Sequence, residues 1–212
     1  MKRTLVVVGA GGHGSVCADA AQRLGLFQSI VFSGNGKDRG TSVGLWKVEF
    51  HDEDLSSLDS AAYQFILGVG QISTGRNRQA LFERIQETGV EAATIIAGNA
   101  SVVNNTAIGP GSLVGFLSIV NIGATVGTNV IVNSRALVEH DAIIGDHVHL
   151  STGSIVNGGA QIGDRCLIGS SAVVLQGVAI CEDVVVGAGA VVARNITSPG
   201  TYVGVPARKI HE

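Results

Sequence analysis

Aromatic side chains are scarce in this chain: 4% of 212 residues, with a single Trp and two Tyr. Large interiors usually lean on such bulky rings, so a thin, repetitive core is the better expectation. Basic tracts are missing and the net charge is −3, which argues against nucleic acid or an anionic membrane surface as partner. No apolar run reaches the ~18 residues of a membrane span. The opening residues lead into a strand with no cleavage site, so no signal peptide is expected. Cys17, Cys166 and Cys181 form an odd, unclustered set. Cys17 falls on a helical pattern and Cys166 in a column of small residues, which predicts buried thiols rather than disulfides or metal ligands. The cytoplasm is the natural compartment for such a chain.

What is abundant is aliphatic residues and glycine, 30 of the latter. Every sixth residue from Ile96 to Val192 is Ile, Val or Leu, seventeen positions without an insertion. Four residues after each comes a small or modest one, as at Ala100, Ser112, Ala124, Ala136, Ala160 and Ala190. Three residues after each, turn formers dominate, including Asn99, Asn105, Gly111, Gly123, Asn129, Asp141 and Gly153. An inward aliphatic, a turn and a small residue repeating every six is the signature of a hexapeptide β-helix. Three units make one coil of about eighteen residues, so the repeats predict five to six stacked coils. An ordinary β-sandwich would break its alternation at irregular intervals instead.

The N-terminal third reads differently. Thr4–Val8 is a short apolar strand, followed by Gly9-Ala-Gly-Gly-His-Gly14 and a helical face through Val16, Cys17, Ala20, Ala21 and Leu24 that Gly25 stops. Ser29–Phe32 and Tyr63–Leu67 read as further strands, and Leu45–Phe50 as an edge strand. Residues 76–87 read as an amphipathic helix through Ala80, Leu81, Arg84 and Ile85. Alternating strands and helices predict a small parallel sheet, βαβαβ, covering residues 1–92, ahead of the β-helix at 93–212. Gly9, Gly11 and Gly14 fit G-x-G-x-x-G between strand and helix, a place where backbone N–H groups and a helix N-terminus can hold a phosphate. A dinucleotide would also want a carboxylate at the end of the second strand. Ser33, Gly34 and Asn35 stand there instead, so a mononucleotide-type phosphate is favoured over NAD.

Departures from the repeat mark candidate chemistry. His140 sits at an exposed corner position between Glu139 and Asp141, a setting that can fix one tautomer and leave the other nitrogen as a base. Gly158, eighteen residues on, falls beside it on the next coil and leaves an open approach. His149 interrupts an outward column that is otherwise mostly aliphatic, including Leu113, Ile131, Leu137, Ile143, Ile155 and Leu167. An apolar outer face predicts a partner surface, and a closed trimer suits a triangular prism. His149 is then either a satisfied interface histidine or a site residue. His147 occupies a turn column and is expected in solvent, while His51 and His211 carry no signal.

Together these features resemble the bacterial nucleotide-sugar acetyltransferases of the sialic acid O-acetyltransferase type, especially those that N-acetylate UDP-, dTDP- or GDP-linked 4-amino-dideoxy sugars. The resemblance rests on the opening Val-Val-Gly-Ala-Gly-Gly-His-Gly14, on Asn133-Ser-Arg-Ala-Leu-Val-Glu-His-Asp141 and on the closing Tyr202-Val-Gly-Val-Pro-Ala-Arg208. It implies a left-handed parallel β-helix, a homotrimer with interfacial active sites, acetyl-CoA as donor and no metal. It also implies that His140 is the general base, oriented by Asp141. His149, Gly158, Ala188 and Gly204 would contact the donor. Gly11, Gly12, His13, Gly14, Gly70 and Asn133 would contact the nucleotide sugar. Some relatives carry an acidic pair that helps bind the nucleotide where this chain has Gly34 and Asn35, so Asn35 joins the substrate-binding set with the base left open. Rival functions are an O-acetyltransferase on sialic acid or another hydroxylated sugar, a zinc hydratase built on His140, His147 and His149, and a sugar-nucleotide binding module without catalysis.

Overall fold

The computed structural model describes residues 2–35, 38–104 and 106–210; Asn105 of the turn column and His211 lie outside them. The N-terminal unit comprises β1 (Thr4–Val8), α1 (Gly12–Leu24), β2 (Ile30–Gly34), β3 (Ser42–Val43), β4 (Trp46–His51), β5 (Tyr63–Leu67), α2 (Arg76–Gln86) and β6 (Glu91–Ala92). Its sheet has the order β3-β4-β2-β1-β5-β6, parallel except for the β3–β4 pair. Because strand side chains alternate between faces, Leu5 and Val7 pack with Cys17, Ala18 and Ala21 of α1. Val6 and Val8 pack on the other face with Phe82 and Ile85 of α2. Gly25, in the left-handed region at φ 61°, caps α1.

Two local expectations need correction. The strand near Leu45–Phe50 exists as β4, but it is not the edge, because β3 folds back antiparallel and covers it. The buried side of α2 is Arg78, Phe82 and Ile85, rather than a stripe through Ala80 and Arg84. The helix is turned toward both the sheet and the first coils, so residues four and three apart on that side are enclosed.

The β-helix begins with Ile95–Ile96, three residues after β6 ends, and winds left-handed. Strands pair in parallel with the strand eighteen residues on, as in Leu113 with Ile131 and Ile131 with His149, until the last coil, where Val185 pairs with Thr201 sixteen residues on. Three sheets result. The first face carries the strands at 95–96, 113–114, 131–132, 149–150, 167–168 and 184–186, closed by Gly200–Val203 and antiparallel Arg208–Lys209. The second runs from Ser101–Val102 to Val191–Val192, and the third from Ala107–Ile108 to Ala179–Ile180. The six-residue aliphatic column and the small-residue column fill the interior together, Val132, Val138 and Leu150 beside Ala136, Ala142 and Ala160. The turn column explains itself by backbone conformation. From Gly111 to Gly189 every sixth residue has positive φ, eight of them not glycine, including Asn129 (53°), Asp141 (59°) and His147 (58°). Gly, Asn and Asp tolerate that region best.

The outward aliphatic column divides by face. On the first face Leu113, Ile131 and His149 are buried under the chain's own N-terminal unit, with Leu113 and Ile131 in one cluster with Cys17 and Phe32. Leu113 and Ile131 are therefore not a surface for another molecule. On the other faces Ile119 and Ile143 stay 42% and 48% exposed. His147, expected in solvent, is buried as well: α2 lies over its corner, its ring meets the Phe82 ring edge-on at 5.8 Å, and Nδ1 faces Asn129 Nδ2 at 3.0 Å. The two units are strapped together by Gly75 N–H donating to Arg165 O (2.8 Å) and by Arg76 paired with Asp183 at 2.6 Å.

Phe82 fills the joint, 1% exposed and 5.5 Å from the Phe65 ring. Phe82→Ala should destabilise the protein by about 3–5 kcal/mol, read from urea unfolding. A loss below about 1 kcal/mol would mean that the joint repacks or contributes little.

Candidate active site

Two clusters of predicted residues form, and they lie in different places. The first is a cleft of about 680 Å³ between the N-terminal unit and the first face of the β-helix, lined by Gly12, His13, Val16, Gly70, Gln71, Ile72, Asn133, Ser134, His149 and Thr152. The glycine loop reaches it because Gly9 takes φ 107° and Gly14 packs against the Gly9 carbonyl and Phe32. Gly68 fits equally closely on Gly14, so the β1–α1 and β5–α2 loops share one rim. Gly11 and Gly12 border open space, at the start of a helix whose first N–H groups have no intrahelical acceptor.

Within the cleft the histidines are hydrogen-bonding groups rather than bases. His149 Nδ1–H donates to the Gln71 carbonyl at 3.2 Å, and Asn133 Nδ2 donates to His149 Nε2 at 3.2 Å. The Asn133 orientation is set in turn by Ser134 N–H donating to its Oδ1 at 2.7 Å. Burial, reinforced by the nearby Arg78 cation, pushes His149 down to about 4. His13 lies 6.4 Å away, centroid to centroid, and burial with Arg78 pushes it down to about 3. Both rings are neutral at physiological pH.

The second cluster is the corner after Leu137–Val138. His140 Nδ1–H donates to Asp141 Oδ2 at 2.9 Å, and both side chains are exposed. That hydrogen bond, the largest influence, holds the imidazole above its usual range, with the Asp141 and Glu139 charges adding to it. Glu139 is itself held, accepting from Asn121 Nδ2 at 3.0 Å and from His140 N–H at 3.1 Å. The Asp141 carboxylate lies over Gly123 of the preceding coil, and His140 Nε2 lies over Gly158 of the next, where a Cβ would come within 2.6 Å. His140 thus presents a free Nε2 lone pair at an open corner, with the other nitrogen committed.

The corner is shared by the second and third faces, so it lies across the prism from the cleft on the first. Within one chain the structure brings together Gly12, His13, Gly70, Asn133 and His149, and separately His140, Asp141 and Gly158. Of the residues expected to contact the donor, Ala188 and Gly204 are exposed near the far end, with Gly204 at φ 93°. Asn35 lies at the end of β2 in a second hollow with His51, Asp52 and Glu53, where Ser33 Oγ donates to Asp52 Oδ1 at 2.8 Å. The carboxylate missing after β2 is thus replaced in space by one arriving from β4. Two residues went unnoticed in the sequence. Gln71 supplies the carbonyl that fixes His149, and its Nε2 reaches the Arg165 and Cys166 carbonyls at 3.4 and 3.2 Å. Arg78, 3% exposed, sits where an amphipathic helix should bury an aliphatic residue; an arginine four residues before Phe82 was the available signal. Among the described residues no three His, Cys, Asp or Glu converge on a metal position.

This architecture defines a class: a small α/β unit set on a hexapeptide β-helix. The family described as the PglD N-terminal domain matches residues 4–85, and the hexapeptide repeat of succinyl-transferase matches residues 159–194. The acetyltransferase domain of PglB from Neisseria gonorrhoeae, solved with acetyl coenzyme A, is 34% identical, covering 99% of this chain and all of that one, with TM-score 0.93. A variant of perosamine N-acetyltransferase from Caulobacter crescentus, in complex with CoA and GDP-perosamine, is 28% identical over 99% of this chain and 97% of that one, with TM-score 0.89. WeeI from Acinetobacter baumannii is 25% identical over 98% of this chain and 100% of that one, with TM-score 0.88. No curated protein matches the chain. The chain belongs to the bacterial nucleotide-sugar acetyltransferases of the hexapeptide-repeat superfamily. No helix among its described residues is long and apolar enough to cross a membrane.

Gly158→Ala tests whether the corner needs its opening. Its backbone is outside the left-handed region, so the fold should tolerate the methyl, but His140 must swing away. Turnover should fall about tenfold or more with unchanged thermal stability. Unimpaired turnover would show that this position of His140 is not the working one.

Proposed function

We propose that the protein transfers the acetyl group of acetyl-CoA to the 4-amino group of a nucleotide-linked dideoxy amino sugar for surface glycan synthesis. The observation that carries this is the His140–Asp141 pair at 2.9 Å over Gly158, on a chain whose relatives include one solved with acetyl coenzyme A and one with CoA and GDP-perosamine. His140 Nε2 accepts the proton released as the amine nitrogen attacks the thioester carbonyl carbon. Backbone N–H groups nearby stabilise the oxyanion. Collapse breaks the C–S bond, and His140 returns its proton to the departing CoA sulfur. Cys17 is buried and Cys166 is enclosed with its Sγ on the Cys181 carbonyl, so direct attack is favoured over an acyl-cysteine.

The sugar nucleotide is assigned to the cleft. Gly11, Gly12 and Gly14 offer backbone donors, His13 and Gly70 flank the phosphates, Asn133 faces the sugar, His149 meets the acetyl donor, and Asn35 lies toward the base. Acetyl-CoA runs along the coils past Gly158, Ala188 and Gly204. The His140 corner and the cleft lie on opposite sides of one prism, so they work together only if the corner of one chain enters the cleft of another. A homotrimer with three interfacial sites satisfies that requirement. His149, satisfied by Gln71 and Asn133, then serves as a positioning group in the cleft.

Two variants separate base from orienter. His140→Ala should cut kcat by about 10²–10⁴-fold, and activity within about fivefold of the parent would contradict the role. Protonation removes the Nε2 lone pair, so kcat/KM should fall as pH drops through the raised His140 pKa. Asp141→Asn removes the main cause of the upward shift. Its acid limb should move to lower pH, with a smaller rate loss than His140→Ala. An unmoved limb in a pH–rate profile would mean that another group titrates.

A further inference from the structure

Arg78 is a buried cation without a counter-ion. It is 3% exposed and takes part in no ion pair among the described residues, and its Nε has no hydrogen-bond partner. A buried charge is stable only when paired or compensated by hydrogen bonds. Here Nη1 donates to the Val69 carbonyl, while Nη2 donates to Asn129 Oδ1 at 2.6 Å and to Asn129 O at 3.3 Å. One guanidinium therefore joins the rim loop of the cleft to the β-helix. In a trans peptide, C=O and N–H point in opposite directions. Holding the Val69 carbonyl toward Arg78 turns the Gly70 N–H away from it, and Gly70 lines the cleft. Burial lowers the Arg78 pKa to about 10, which leaves it charged at neutral pH. Its field reaches the cleft walls, since it contributes to the depression of both His13 and His149.

We propose that Arg78 is a positioning residue whose charge, hydrogen-bonded but without a counter-ion and held one peptide behind the cleft, makes the cleft an anion site for the diphosphate of the nucleotide sugar and aims Gly70 N–H at it. The proposal rests on the assignment of the sugar nucleotide to this cleft. It also accounts for the lack of a carboxylate beside Arg78 among the described residues: the counter-charge arrives with the substrate. A purely structural clamp would be served equally well by Asp at position 129, where φ is 53° and Asp is tolerated.

That contrast supplies the experiment. In Asn129→Asp the acceptor for Nη2 stays, His147 Nδ1 can carry the proton that faces it, and the Arg78 charge becomes paired. Inorganic pyrophosphate is the probe, with its affinity measured by calorimetry on the full-length protein and by competition against the nucleotide sugar. Asn129→Asp should weaken pyrophosphate and raise the sugar-nucleotide KM about tenfold or more, with acetyl-CoA KM and thermal stability little changed. Arg78→Lys should retain more pyrophosphate affinity than Arg78→Met. Unchanged pyrophosphate affinity in Asn129→Asp, or equal losses in the Lys and Met variants, would overturn the proposal. If Arg78→Met fails to fold, Asn129→Asp and Arg78→Lys still decide it. A parent protein that binds pyrophosphate in the predicted pattern but acetylates no nucleotide-linked amino sugar would refute the functional assignment and leave the anion site standing.

Discussion

Residue i lies beside residue i + 18 through all but the last coil of the β-helix, held by parallel backbone pairing on three faces, and the rest of the structure depends on that offset. It stacks the interior aliphatics in columns, and it returns the backbone to the left-handed region at each corner from Gly111 to Gly189. It also lets a side chain on one coil act over a gap on the next. The corner after Val138 uses this twice, with Asp141 over Gly123 and His140 over Gly158. Elsewhere the same offset makes ladders, as where Thr128 N–H donates to Asp146 Oδ1 at 2.7 Å and Asp146 N–H to Asp164 Oδ1 at 2.8 Å.

On this lattice four histidines acquire different properties from their surroundings. His140 is exposed and carboxylate-bound, and its pKa is raised. His149, buried, and His13, half-buried, lie near an arginine without a counter-ion and are forced neutral. His147 is lowered mainly by burial and locked to Asn129. Burial and a neighbouring charge, rather than residue type, set which imidazole titrates high and which stay neutral.

Much of this was legible in the sequence because a β-helix is local and periodic. The inward columns, the turn column and the pairing of His140 with Gly158 all follow from counting by six. What could not be counted was the packing of the first unit onto the first face. The outward aliphatics of all three faces look alike in sequence, yet Leu113 and Ile131 are covered while Ile119 and Ile143 are not. His147 was misjudged for the same reason, since its corner is under α2. Arg78 and Gln71 escaped notice because their partners, Asn129 and the Arg165 and Cys166 carbonyls, are 51 to 95 residues away. Periodicity carries no record of such contacts.

The central claim is that catalysis joins the corner of one chain to the cleft of another. Chains carrying His140→Ala and chains carrying His149→Ala, each strongly impaired alone, can be unfolded, mixed and reassembled. Shared sites predict that the mixture regains a fraction of parental activity, because some interfaces receive an intact corner and an intact cleft. Mixed oligomers that assemble yet remain as inactive as either variant alone would contradict the account.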